Sequence, residues 1–290
     1  FVKLGALDGV DIAMMTHTGN QRDNKILALG GSSTGSVSKS IKFIGKASHA
    51  GGSPHNGINA LNAANLAMAG IHFQRETFQE KDVIRIHPII TQGGAAVSSV
   101  PADVRMETYV RGSSTQGYLD ASEKVDRALR GGAMAVGAQV EITTIPGYLP
   151  MYQNEDLNEL YEQNSVYLVG DEAVDRSNVG RFGGFSTDMG DMSQLMPIIH
   201  PSVLSTSGDG HGIDYVVEDY HSAVITAAKA MALTVADLLH GNAEKGKEIV
   251  DKFEPLLTKD KYLKLLRSMY KEEKFKDNLA NVKSDYKDFL

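Results

Sequence analysis

The chain has 290 residues, 42% hydrophobic and 22% charged with only 8 prolines, which fits one large or two ordinary globular domains and excludes a disordered or collagen-like chain. Lys and Arg number 29 against 36 Asp and Glu, a net charge of −7, which argues against a nucleic-acid partner, since such partners require a concentrated basic surface. The absence of cysteine excludes disulfides, thiolate metal sites and a Cys nucleophile within this chain.

Taken in order, the chain opens with a surface turn and a short apolar strand, Val10 to Met15, that runs out at Thr16-His17. Residues 18–35 are polar and Gly/Ser-rich, hence loop. From Val37 the period becomes that of a half-buried strand, with Ile41 and Phe43 alternating with Lys42. Ser53-Pro54 introduces an Ala-rich helix over 57–73. Strands are predicted at Val83–Thr91 and Val104–Arg111; in the second, Val104, Met106, Thr108 and Val110 face one way. A helix over about 116–135 and a strand over Gln139–Ile145 complete a β-α-β-β-α-β order, that of a ferredoxin-like subdomain.

After Pro150 a second folding unit begins, with helical spacing over 157–168, a loop-rich stretch over 176–215 and an Ala-rich helix over 218–240. The Lys/Glu/Asp-rich tail carries an apolar face (Tyr262, Leu265, Leu266, Met269, Tyr270) and predicts an exposed amphipathic helix. No apolar run reaches the roughly 18 residues of a membrane span, so no membrane partner is expected.

Nine histidines are the main raw material for chemistry. His72, His87, His200 and His240 read as structural or solvated, and His55 as little more. His17 ends a strand, where α/β proteins place ligands. His211 lies in a Gly-rich loop through which backbone can approach a bound group, and His49 follows the strand at 37–44. None belongs to a local metal motif such as HExxH. Asp188 and Asp191 could support a metal's surroundings or orient a histidine, or simply cap a turn. Arg111 could clamp a carboxylate or form a surface ion pair. Gly93-Gly94 lacks the pattern of a phosphate loop.

Lys46-Ala47-Ser48-His49-Ala50, then Pro54 and Gly57 to Ala64, resembles the lid-domain signature of the co-catalytic zinc amidohydrolases, the family of aminoacylases, carnosinase-type dipeptidases and indole-acetyl-amino-acid hydrolases. Gly93-Gly94, Val100-Pro101, Tyr109-Val110-Arg111 and Asp11 to His17 recur there in the same order. Ser186 to Ser193 is similar to the aminobenzoyl-glutamate hydrolase branch. The resemblance runs over about residues 1–240. It implies an α/β architecture: a partial phosphorylase/hydrolase-like zinc-peptidase catalytic domain with an inserted ferredoxin-like lid and dimerisation domain. The expected divisions are 1–36 and 151–242 for the catalytic part, 37–150 for the lid, and 243–290 for the tail.

By the same resemblance, His17 and His211 match histidines that bind two divalent metal ions (Zn, Mn, Co or Ni). His49 matches a lid histidine that reaches across a homodimer into the partner's site and polarises the scissile carbonyl. Arg111 matches an arginine that grips the substrate carboxylate, and Gly93, Gly94 and Ser99 fall on the substrate side, Ser99 where the family has Asn. Asp188 and Asp191 line the site. The implied activity is hydrolysis of a dipeptide or an N-acyl or N-aroyl amino acid through a metal-bridged water. The family's first metal motif and its Glu-Glu pair would precede Phe1. The start FVKLGALDG, without Met, reads as a fragment, expected to be inactive alone, with targeting information out of view and cytoplasm as the default location. The alternative is a non-catalytic homologue that keeps the lid for dimerisation or ligand binding.

Overall fold

The computed structural model describes residues 1–276. The described residues divide into two compact units, Phe1–Gly35 with Tyr148–Leu265, and Ser36–Gly147 with residues 266–276.

In the second unit, alternation builds the sheet. Along Gly35–Ile44, Val37, Lys39, Ile41 and Phe43 are buried, and along Asp103–Gly112 the buried set is Val104, Met106, Thr108 and Val110. The sheet order places Lys271–Lys276 first, then Gln139–Pro146, Gly35–Ile44, Asp103–Gly112 and Arg85–Ile86, with Ile89–Gln92 also on Asp103–Gly112. Helices Ala60–Phe73 and Thr115–Ala135 bury Ala63, Ala64, Ala67 and Ile71 from the first, and Tyr118, Val125 and Leu129 from the second. Their backbones approach closely at Gly132, where a Cβ would lie 2.5 Å from the Ala63 carbonyl oxygen and 2.6 Å from the Ala67 nitrogen.

Local chemistry sets the element ends. Asn59 caps the first helix by accepting from the Leu61 and Asn62 amides, so that helix starts at Ala60 instead of Gly57, and Pro54 falls in a separate 3-10 turn. Ser114 caps the second by accepting from Gly117 N. The strand expected over 83–91 is broken into Arg85–Ile86 and Ile89–Gln92 around His87-Pro88, because proline has no amide for the ladder.

The tail departs from its expected form. Lys259–Met269 is helical, but Lys271–Lys276 is a strand, paired antiparallel with Gln139–Pro146 from Lys271 opposite Thr144 to Lys276 opposite Gln139. The open edge of Gln139–Pro146 supplies backbone partners, and ion pairs hold the strand there: Arg130 to Glu273 at 2.8 Å and Lys274 to Glu141 at 2.9 Å. The remainder of the tail, from 277, lies outside the described residues. Beneath this edge Lys39 is fully buried and donates to Asp126 Oδ1 at 2.7 Å and Thr144 Oγ1 at 2.8 Å. Burial holds its pKa below the usual lysine value, while Asp126 opposes that shift.

The first unit is organised by short parallel strands. His17–Asn20 runs parallel to Ser202–Ser207, which also pairs with Leu27–Ala28. Ala13–Met14 pairs with Ile198–Ile199, and Phe182–Gly183 with Ser32–Ser33. Leu27, Leu29, Val203, Leu157, Leu160, Tyr161, Ala227, Ala230 and Leu238 form one core, and Met151, Met189, Met196 and Ile198 a second. The helix expected over 218–240 opens with a π-turn at His221–Thr226 and continues to Lys252, interrupted by non-helical backbone at His240 to Ala243. By length and composition only, the helix His221–Lys252 holds an 18-residue stretch apolar enough to cross a membrane, with a mean hydropathy of 1.5, against the expectation that no segment would. Its inner stripe packs into the first core against Glu155–Val169, where Asn164 donates to Asp237 at 2.8 Å.

Candidate active site

His17 stands at the start of its strand, exposed, with Nδ1 2.5 Å from the Thr18 carbonyl oxygen. A carbonyl only accepts, so Nδ1 carries the proton and Nε2 keeps its lone pair, the tautomer of a metal-ligating imidazole. His211 lies in the loop that follows Ser202–Ser207, the strand paired with His17–Asn20. That loop turns through residues of positive φ, Gly208 at 81° and His211 at 69°. Tethers fix it to the His17 strand: Asn20 Nδ2 donates to Gly208 O at 2.7 Å, and the Tyr215 hydroxyl bonds Thr18 and Thr206 Oγ1 at 3.2 and 3.1 Å. The loop of His211 is thus tied to the strand of His17 through Asn20 and Thr18, while the pairing sets His17 itself opposite Ser202, at the end of the strand away from that loop.

Sequence reasoning set aside a third histidine here. His200 is 5% exposed and packs edge-on to His17, ring centroids 6.0 Å apart, with Phe185 on another side at 6.2 Å. Its Nε2 is buried and has no hydrogen-bond partner among the described residues. Burial lowers its pKa to about 4, His17 adds to the effect and Asp188 opposes it. The overlooked signal was positional: His200 closes the Ile198-Ile199 strand as His17 follows the paired Ala13-Met14 strand.

Asp188 and Asp191 take different environments. Asp188 is exposed and precedes the helical turn Met189–Ser193. Asp191 is 8% exposed, and its Oδ1 accepts the Leu149 amide at 3.2 Å. Burial pushes its carboxyl up to about 7 despite that hydrogen bond, and the Asp188 charge adds to the rise.

In the second unit, His49 Nδ1 accepts from Gly52 N at 2.9 Å and Gly51 N at 3.2 Å. Its proton therefore sits on Nε2, leaving an outward hydrogen-bond donor on an exposed ring. Ser99 bridges to His49, and Val100 N donates to Ser48 O at 2.9 Å. Gly93, Gly94 and Ser99 line a surface hollow of about 680 Å³ beside this loop. Arg111 lies at the far end of Asp103–Gly112, with its guanidinium 5.1 Å from the Tyr109 ring centroid. From Asp103 to Arg111 the strand rises about 26 Å at about 3.3 Å per residue, and His49 lies beyond the Asp103 end, through Gly45 N to Ala102 O and Ala50 N to Ser98 O. The lid residues are thus not brought together: His49, Ser99, Gly93 and Gly94 share one end, and Arg111 occupies the other.

The metal ions that the resemblance implies can be tested against these donors. His17 has the right tautomer, but among the described residues no group of three or more His, Asp or Glu side chains is placed to hold an ion. The described residues offer part of a ligand set and do not by themselves close a metal site.

Residues 32–133 match the family model of the peptidase dimerisation domain. The Xaa-Arg dipeptidase of Mus musculus is 29% identical over 244 residues, 82% of this chain and 55% of that protein. One of the p-aminobenzoyl-glutamate hydrolase subunits of Escherichia coli (strain K12) is 28% identical over 141 residues, 48% of this chain and 32% of that protein. A Bacillus subtilis structure described as a dinuclear metal-binding peptidase from the M20 family superposes with a TM-score of 0.56 at 17% identity, covering 82% of this chain and 60% of that one. The chain spans about half the length of the curated dipeptidases it matches. The sequence motifs, the fold and these matches together make the chain similar to the amidohydrolases and dipeptidases of the M20 metallopeptidases, the aminobenzoyl-glutamate hydrolases among them, with the peptidase dimerisation domain matched over residues 32–133.

Proposed function

We propose that the protein hydrolyses the amide bond of a dipeptide or an N-acyl or N-aroyl amino acid, with divalent metal ions such as zinc or manganese bound in the complete protein. His17 and His211 are the metal ligands this chain would supply, and the ions would provide the activated water. His49 donates Nε2–H toward the oxygen that gains charge as the amide is attacked, and its neutral tautomer, set by the Gly51 and Gly52 amides, suits that task. Arg111 pairs with the substrate carboxylate. Gly93, Gly94 and Ser99 flank the substrate, and Asp188 and Asp191 line the metal side.

The observation that carries this reading is the separation of His49 and Arg111 by about 26 Å or more of strand and loop. In an N-acyl amino acid only one Cα lies between the amide and the carboxylate, so one lid cannot place both residues on one substrate. A homodimer in which His49 serves the partner's site and Arg111 its own removes the conflict, and the match of 32–133 to a dimerisation domain supports that arrangement. The test is hydrolysis by the full-length protein of a panel of dipeptides and N-acyl amino acids, with EDTA and with added Zn, Mn or Co. Metal-dependent release of a free amino acid is expected. Turnover that survives chelation, or none on any amide, refutes the reading.

A further inference from the structure

Within the first unit, a cavity of about 360 Å³ lies beside the His17 and His200 pair. Its walls come from three places in the chain. Ser32–Ser33, paired with Phe182–Gly183, brings Arg181 and Phe182 alongside Gly30 and Gly31. The close approach requires those glycines: a Cβ on Gly31 would lie 2.3 Å from the Asn178 carbonyl oxygen, and one on Gly30 2.5 Å from that of His200. The third wall is His200 itself, one-twentieth exposed, with its orphaned Nε2.

The lining has a definite chemical character. Arg22 and Arg181 contribute two positive charges, Asn178 and His200 contribute neutral polar groups, and Phe182 and Phe185 contribute apolar faces; no acidic residue lines the cavity. Arg22 is shared with Asp175 at 3.3 Å, whereas Arg181 has no ion-pair partner among the described residues. A buried imidazole nitrogen without a partner is unfavourable, and a ligand atom bonded to it offsets that cost. An unpaired guanidinium at the same cavity selects an anion over a cation.

We propose that this cavity is an acyl-side specificity pocket for a short acyl group ending in a carboxylate, with Arg181 pairing to the carboxylate and His200 hydrogen-bonding the same acyl group. The proposal rests on the amide-hydrolase reading and narrows its substrate class to N-acyl amino acids or dipeptides with an acidic acyl side chain. A lysine or arginine side chain on that side would meet the like charge of Arg181.

The experiment compares N-glutaryl-phenylalanine with N-hexanoyl-phenylalanine, which differ only in the acyl group, as substrates of the full-length protein. Wild type is expected to favour the glutaryl substrate. Arg181→Gln, at an exposed position, is expected to lose about tenfold in its kcat/KM through a higher KM, with the hexanoyl value changed less than about twofold. His200→Leu is expected to lose the same preference, and His200→Gln, which keeps an N–H donor, to recover part of it. Metal content, measured by atomic emission, should match wild type in all three. Equal losses on both substrates, no loss in Arg181→Gln, or a wild-type preference for hexanoyl overturns the proposal. If wild type hydrolyses neither, the wider panel decides the hydrolase reading, and calorimetric binding of glutarate and hexanoate decides the pocket separately. Glutarate binding weakened about tenfold in Arg181→Gln supports it, and unchanged or undetectable glutarate binding refutes it.

Discussion

Asp191→Asn isolates the energetics of a buried carboxyl in the helical turn Met189–Ser193. The wild-type carboxyl is 8% exposed and titrates near 7 in the folded chain, against a usual value of 3.8. Because the folded value is raised, the folded state holds a proton that the unfolded state has released. The stabilisation is therefore full below about pH 4 and is lost as pH rises through about 7, at up to about 1.4 kcal/mol per pH unit. The accumulated loss approaches about 4 kcal/mol by about pH 8. Asparagine keeps an oxygen for the Leu149 amide and cannot ionise. Its stability relative to wild type should therefore climb by about 3 kcal/mol between about pH 4.5 and 8, with His200 and all other titrating groups common to both proteins. Urea unfolding across that range, with equal m-values in the two proteins, measures the difference directly. A difference that stays flat, or that shrinks as pH rises, refutes the burial argument.

Other substitutions test the second unit. Asp126→Ala leaves the fully buried Lys39 facing only Thr144 and should cost about 3 kcal/mol or more, while Lys39→Met should cost less because Asp126 retains Lys271 at 3.6 Å; chemical denaturation gives the order. Gly132→Ala forces a Cβ onto helix backbone and should destabilise by about 1–3 kcal/mol, whereas Gly131→Ala, with nothing within 4 Å, should stabilise by about 0.5–1 kcal/mol. Equal effects at the two glycines in thermal unfolding would contradict the helix-contact assignment. Ending the chain after Tyr270 removes the Lys271–Lys276 strand, bares the edge of Gln139–Pro146 and should produce concentration-dependent association in sedimentation velocity, an outcome the shortened chain must show if that strand protects the edge.

What could be read from the sequence followed the strength of each local signal. Alternation through Val104, Met106, Thr108 and Val110 announced a half-buried strand, and the structure buries all four. The Ala-rich helix at 60–73 was equally visible, though its start depended on the Asn59 cap and not on Pro54. Lys271–Lys276, in contrast, carries charges on most positions and no strand pattern; its form comes from a vacant sheet edge and from Arg130 and Glu141, residues more than a hundred positions away. His200 was invisible for a similar reason. Its partner His17 reaches it through the parallel pairing of Ala13–Met14 with Ile198–Ile199, segments far apart in the chain, which no local spacing encodes. His49 was legible only through the surrounding lid motif, and the placing of its donor on Nε2 emerged from the Gly51 and Gly52 amides in three dimensions.

In the proposed dimer, His49 of one copy and the His17 site of the other act on the same amide. Complementation between two inactive variants of the full-length protein tests that arrangement. His49→Ala should bind metal as wild type does and lose turnover, and His17→Ala should lose both. Verified heterodimers of the two should regain about a quarter to a half of wild-type amide hydrolysis, because one of their two sites combines an intact His17 with an intact partner His49. Heterodimers as inactive as either parent would contradict the account.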